Sequence, residues 1–455
     1  MLNFLKAPKA TTPLTKDKVN KTYGRYRWQV FIGIFIGYAG YYFIRKNFAL
    51  AIPDLIQLGF TKTELGFALS FLAISYGVSK FLMGNVSDRS NVKYFMPLGL
   101  LLSAVVMMVM GLFPFATSSI LIMSILLFLN GWFQGMGWPP SGRTMVHWFS
   151  LTERGTKMSI WNVAHNIGGA LMPILAILGV ELFSDWHAKF YFPGMVAIVV
   201  AVLIFILLKD RPVSVGLPTI EEWKNDYPDE YNAKTKEEEE KGVTAKEIFV
   251  KHILPNKLLW SIAIANAFVY LVRYGIQDWA PTYLIEVKGF TESESSWAYS
   301  MYEMAAIPGT LICGWLSDKV FKGKRAPVSI IYMALIVIAI FVYWKNPVGH
   351  ALIDNICLIS IGFLIYGPVM LIGVHALDLV KKEAAGTAAG LTGLFGYFIG
   401  TSILANILGG YVIENYEWNG YFILMMGASI VSIGLIALTI KTPSAQVDAL
   451  KSNSH

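Results

Sequence analysis

Apolar residues along this chain gather into blocks of roughly twenty, the length at which a helix rising about 1.5 Å per residue crosses the hydrocarbon of a bilayer. The blocks predict helices over 27–50, 63–84, 94–113, 118–139, 157–180, 188–208, 258–283, 296–317, 326–345, 351–377, 384–412 and 419–440. The expected class is an all-α membrane protein with twelve transmembrane helices. Residues 1–27 are polar and basic and lack the apolar core of a cleaved signal peptide. They are expected to form a cytoplasmic N-terminal segment.

Basic residues set the orientation. With the N-terminus inside, the inner connections hold Arg89, Lys93, Arg154, Lys157, Lys209, Arg211, Lys319, Lys322, Lys324, Arg325, Lys381 and Lys382, and the outer ones only Lys62, Lys189, Lys288 and Lys345. The positive-inside rule is met with both termini cytoplasmic, and an odd number of spans would destroy it. The same bias accounts for the net charge of +7 without nucleic-acid binding. A content of 55% hydrophobic and 15% charged residues departs from soluble domains, where about a quarter are charged. The two cysteines, Cys313 and Cys357, both lie in apolar blocks and offer neither a disulfide framework nor a zinc-ligand spacing. No metal and no cofactor is expected.

A polar stretch over 209–257, with Pro212, Pro218, Pro228 and the run from Glu237 to Glu240, reads as a cytoplasmic linker. It separates an N-terminal half, 28–208, from a C-terminal half, 258–440, and 441–455 follow as a cytoplasmic tail. The halves echo each other. GNVSDRS from Gly84 follows the second helix and GWLSDKV from Gly314 the eighth; ERG at 153–155 pairs with EAAG at 383–386, and Arg45 with Arg273, all at nearly the same offset. Two pseudo-symmetric six-helix halves with a substrate site between them at the midplane is the transporter plan that such duplication predicts.

Arg45, Lys80 and Arg273 stand within or near apolar spans, where a cation costs roughly 2.5 to 3.5 kcal/mol at the helix centre. The ordinary explanation is snorkelling or neutralisation of an internal acid. That explanation is weak for Arg45, which mostly apolar residues precede from Trp28 onward, and for Arg273 in the corresponding helix. Two guanidinium forks can hold the oxygens of one phosphate by charge-assisted pairs, a geometry that lysine does not reproduce. Lys80, whose counterpart is Thr310, breaks the symmetry and suits an asymmetric anion, with snorkelling as the competing reading. His165 can donate to phosphate or titrate near neutrality, and otherwise packs as a structural histidine. Tyrosines recur near these charges, at Tyr38, Tyr41, Tyr42, Tyr76, Tyr270, Tyr274, Tyr366 and Tyr397; singly, each reads as packing or an interface anchor. Asp278 is a candidate partner for Lys46, and Glu303 for Arg45 when substrate is absent. Asp88 and Asp318 read as structural, holding inner helix ends together.

The Gly-x-x-x-Asp-Arg/Lys loops, RKNFALAIP from Arg45, GWFQGMGWPPSGRTMVHW from Gly131, AHN at 164–166, DWAPTYL from Asp278 and EEWKNDYPDEYN in the linker together resemble the organophosphate:phosphate antiporter family of the major facilitator superfamily. The resemblance covers essentially the whole chain, although the basic tail of the first loop, SNVK, is thin. It implies the major facilitator fold in a bacterial cytoplasmic membrane, and a secondary antiporter rather than an enzyme. It also implies import of glycerol-3-phosphate in exchange for inorganic phosphate by rocker-type alternating access, with phosphate held between Arg45 and Arg273. By the same resemblance His165, Lys80, Tyr38, Tyr42, Tyr76, Tyr270, Tyr366 and Tyr397 belong to the substrate site, and the phosphonate fosfomycin enters as a mimic.

The resemblance also implies a charged pair in the eleventh helix of hexose-phosphate relatives, whereas residues 386–410 here carry no charge, which favours a small glycerol moiety. Alternatives are a transporter of another organophosphate, such as hexose phosphate, or a transport-like membrane sensor of the same anion. No phosphate-binding GxxxxGK[ST] loop occurs, which argues against direct ATP coupling. A monomer suffices, because each pair of halves already forms a pathway.

Overall fold

The computed structural model describes residues 5–225, 249–380 and 384–440, and helices are the regular elements among them. In chain order they are α1 (Lys16–Phe43), α2 (Asn47–Gln57), α3 (Lys62–Asp88), α4 (Val92–Leu112), α5 (Ile120–Gln134), α6 (Trp138–Trp148), α7 (Leu151–Phe183), α8 (Ala188–Leu207), α9 (Ile220–Lys224), α10 (Lys257–Glu286), α11 (Glu292–Trp315), α12 (Arg325–Lys345), α13 (Ala351–Asp378), α14 (Ala385–Leu394) and α15 (Gly409–Ala437). A π-type helix, Phe395–Leu408, joins the last two.

Nine runs among the described residues are long and apolar enough to cross a membrane. The remaining crossings are hidden for physical reasons. α1 and α11 have the length, but their tyrosine, glycine and polar residues lower the mean hydropathy. The run Thr387–Ala437, at 51 residues, is more than one crossing needs. It breaks at Glu417, whose φ of 57° and ψ of −173° are not helical. With that run divided at Glu417 and α1 and α11 added, the described residues hold twelve helical segments of spanning length, the number the hydropathy pattern predicts.

Some boundaries differ from the sequence reading. The first helix begins at Lys16, within the expected N-terminal segment, and the span 27–50 is interrupted at residues 44–46. The span 118–139 is likewise interrupted at 135–137 and continues to Trp148. The start of the linker is built against the N-terminal segment: Tyr23 stacks on Trp223 at 4.2 Å and its hydroxyl donates to the Pro218 carbonyl at 3.2 Å. Thr11 and Leu14 amides donate to the Val213 and Gly216 carbonyls at 3.0 and 2.8 Å. Pro228, the run from Glu237 to Glu240, Lys381, Lys382, Glu383 and the tail 441–455 lie outside the described residues.

The chain divides into two compact units, Met1–Asn47 with Val78–Gly242, and Phe48–Gly77 with Val243–His455. In the first, α4 packs on α8 and α5, and α1 on α7 and α8. In the second, α13 packs on α11 and α12, while α10 lies against the π-type helix and α15. Glycines set the closest of these approaches: a Cβ at Gly309 would run into the Phe363 carbonyl, and one at Gly362 into that of Tyr302.

The second unit also holds an internal repeat beyond those read from the sequence. Gly59-Phe60-Thr61 precedes α3 and Gly289-Phe290-Thr291 precedes α11. Both glycines take positive φ, 98° and 72°. The Thr61 and Thr291 amides donate to Glu64 and Glu294 at 2.9 and 2.8 Å, and each glutamate amide donates back to the threonine hydroxyl at 3.2 Å. The same turn and capping box start the second helix of each half.

In the first unit, Asp210 is 3% exposed and lies 3.2 Å from Arg143. It also accepts the Val92 amide at 3.0 Å, while Arg143 donates to the Ser87 carbonyl at 2.9 Å and to that of Ser90. The pair ties the α3–α4 turn to α6 and to the chain after α8. Removing one partner of a buried pair costs about 3–5 kcal/mol, because the other charge stays buried. Arg143→Met is expected to lower the thermal unfolding midpoint in detergent by roughly 5 °C or more, measured by scanning fluorimetry.

Candidate functional site

In the first unit, the break between α1 and α2 places Arg45 and Lys46 on non-helical backbone inside an apolar span. A broken helix leaves carbonyls without their intrahelical donors, which hydrocarbon does not tolerate. Two amides on α5 satisfy them: Asn130 Nδ2 donates to the Ile44 carbonyl at 3.0 Å, and Gln134 Nε2 to the Tyr41 carbonyl at 2.9 Å. Ser103 links the two, donating to Asn130 Oδ1 and accepting from Gln134 at 3.0 Å. Across the break, Asn47 Nδ2 donates to the Lys189 carbonyl at 2.9 Å. Arg45 is buried, at 6% exposure, with its guanidinium carbon 4.5 Å from the Tyr42 ring centre. Tyr42 lies 5.5 Å from both Tyr38 and His165, and Tyr38 stacks on Trp161 at 4.6 Å. The His165 ring nitrogen Nδ1 is hydrogen-bonded to the carbonyl of Asn162 on its own helix. The structure thus gathers Arg45, Tyr42, Tyr38 and His165. Lys80 lies against the Trp138 ring at 4.9 Å.

The second unit presents its arginine differently. Arg273 sits on the continuous helix α10, 6% exposed, and its guanidinium carbon lies 4.2, 5.0 and 6.0 Å from the rings of Tyr366, Tyr274 and Tyr270. Tyr397 adjoins Tyr270 at 5.2 Å and Tyr76 at 5.0 Å. Glu303 accepts from the Tyr366 hydroxyl at 2.7 Å and from the Gln277 amide, which also donates to Tyr366 at 2.8 Å. Ring faces attract the guanidinium through their quadrupole and hold its plane, while its N–H edges stay directed at an acceptor.

Lys46 and Asp278 are buried, at 8% and 0% exposure. Asp88 closes α3 and is exposed. Asp318 pairs with Arg325 at the start of α12, and Arg325 also meets Asp378 at 3.4 Å. That cluster joins the end of α13 and the turn after α11 to the start of α12. No group of metal-ligating side chains forms among the described residues. Asn130, Gln134 and Gln277 escaped the sequence reading. Gln134 stands inside the quoted GWFQGMGW motif, but only the tertiary fold shows which carbonyls these amides meet.

Residues 34–405 match the family model of the Major Facilitator Superfamily. The chain is 56% identical, over 97% of its own length and 98% of the relative's, to the glycerol-3-phosphate transporter of Bacillus subtilis (strain 168). It is 52% identical over 92% of each chain to the glycerol-3-phosphate transporter of Haemophilus influenzae. Its fold is similar to that of a bacterial homolog of the human lysosomal transporter Spinster, with a TM-score of 0.70 over 91% of this chain and 95% of the other at 15% identity.

Proposed function

The chain belongs to the major facilitator superfamily and is a multi-pass protein of the bacterial inner membrane, and on that premise we propose that it is an antiporter importing glycerol-3-phosphate in exchange for inorganic phosphate. Organophosphate transport is supported by two relatives named glycerol-3-phosphate transporter, each more than half identical over nearly the whole chain. The observation that carries phosphate recognition is the pair of buried arginines, one in each unit, each set on tyrosine rings within an apolar span. Arg45 and Arg273 bind the phosphoryl oxygens. His165, Tyr38 and Tyr42 in one unit, and Tyr76, Tyr270, Tyr366 and Tyr397 in the other, contribute hydroxyls and rings to the substrate, and Lys80 helps attract the anion. Both termini are cytoplasmic, and the halves 28–208 and 258–440, joined by the linker 209–257, alternate between inward- and outward-open states as a monomer. Exchange follows from linkage, because a ligand promotes a transition only through its differential interaction with the states it connects.

The test is uptake of labelled glycerol-3-phosphate into proteoliposomes with and without internal phosphate. Uptake that requires internal phosphate is the expected result. Binding without flux would point to a sensor, and flux independent of internal phosphate would overturn exchange.

A further inference from the structure

Gln277 lies four residues beyond Arg273 on α10, one turn along the same face. Its amide gives one hydrogen to Glu303 Oε1 and the other to the Tyr366 hydroxyl at 2.8 Å, and that hydroxyl donates to Glu303 Oε2 at 2.7 Å. In this ring both carboxylate oxygens of Glu303 act as acceptors. All three side chains are buried, at 4% exposure for Gln277 and Tyr366 and 2% for Glu303. The Tyr366 ring is also the closest of the tyrosine faces against which Arg273 lies. The surface that holds the guanidinium is therefore itself held by an amide of the arginine's own helix.

We infer that Gln277 is a positioning residue for anion binding: it fixes the Tyr366 ring against Arg273 and keeps the Glu303 carboxylate from neutralising that arginine. The inference rests on the proposed role of Arg273 in binding phosphate. An ionised carboxylate at membrane depth requires donors. When leucine replaces Gln277, Glu303 loses the hydrogen bond from that amide, and Arg273, one turn back on the same face of α10, is a strong donor. The carboxylate then competes with phosphate for the guanidinium.

The experiment is titration calorimetry of the purified full chain in detergent with inorganic phosphate. Gln277→Leu is expected to weaken phosphate about tenfold, the scale of one charge-assisted hydrogen bond. Adding Glu303→Gln to Gln277→Leu is expected to recover most of that affinity, because a neutral amide cannot neutralise Arg273. A merely structural role for Gln277 would not be rescued by changing Glu303. Gln277→Asn, which keeps an amide too short to reach both partners, is expected to shift affinity in the same direction and serves if the leucine variant does not fold. Wild-type affinity in the folded single variants, or no recovery in the double variant, would overturn the inference. Absence of phosphate binding by the wild-type chain would overturn the underlying reading of Arg273 instead, and the inference with it.

Discussion

Arg273→Lys is expected to weaken phosphate binding by about a hundredfold or more and to remove measurable exchange. The guanidinium is a planar fork held against Tyr366, Tyr274 and Tyr270. An ammonium offers a compact charge that cannot form two parallel bonds to phosphate and stacks less well. Losing one charge-assisted hydrogen bond costs about 1.5–3 kcal/mol, and losing the ring contact adds about 0.5–2 kcal/mol at a desolvated site. Together these come to about 2–5 kcal/mol, a range centred above the roughly 2.8 kcal/mol that corresponds to two decades of affinity. Arg45→Lys is expected to act in the same direction. Calorimetric titration with phosphate and counterflow in proteoliposomes measure the two effects. A Kd for Arg273→Lys within about threefold of wild type would remove that residue from the phosphate site.

Gln134→Leu is expected both to destabilise the protein and to impair binding. The substitution deprives the Tyr41 carbonyl of its donor at a broken helix inside the membrane, and leaves the Ser103 hydroxyl without its donor as well. An orphaned buried carbonyl costs about 1–3 kcal/mol, more in lipid than where water can reach it. The break that presents Arg45 is then no longer defined, so phosphate affinity is expected to fall about tenfold as the thermal midpoint drops by several degrees. Asn130→Leu, which orphans the Ile44 carbonyl, should behave alike. A variant with a lowered midpoint but wild-type phosphate affinity would show that the α1–α2 break has no part in binding.

The two sites differ in how far the sequence reveals them. Arg273 is visible because a cation on a continuous apolar helix is costly in itself, and that cost is a property of the local sequence. Arg45 is visible for the same reason, but the sequence reads as an unbroken helix from 27 to 50. Nothing local breaks α1 at residues 44–46, and the donors that make the break tolerable, Asn130 and Gln134, lie far along the chain. The break inside Thr387–Ala437 follows a different pattern: the turn between two spans was expected there, and the structure adds the backbone geometry of Glu417.

Hydrocarbon charges each buried polar or ionic group where it stands, so the sequence alone determined the membrane class, the twelve spans, the duplicated halves and the two arginines set in apolar spans. The structure alone decided where α1 opens, which tyrosines share a surface with Arg273, that Gln277 and Tyr366 hold Glu303, and that Phe48–Gly77 packs with the later part of the chain. Those features depend on hydrogen bonds and close approaches between residues distant in sequence, whose partners become defined only when the helices pack.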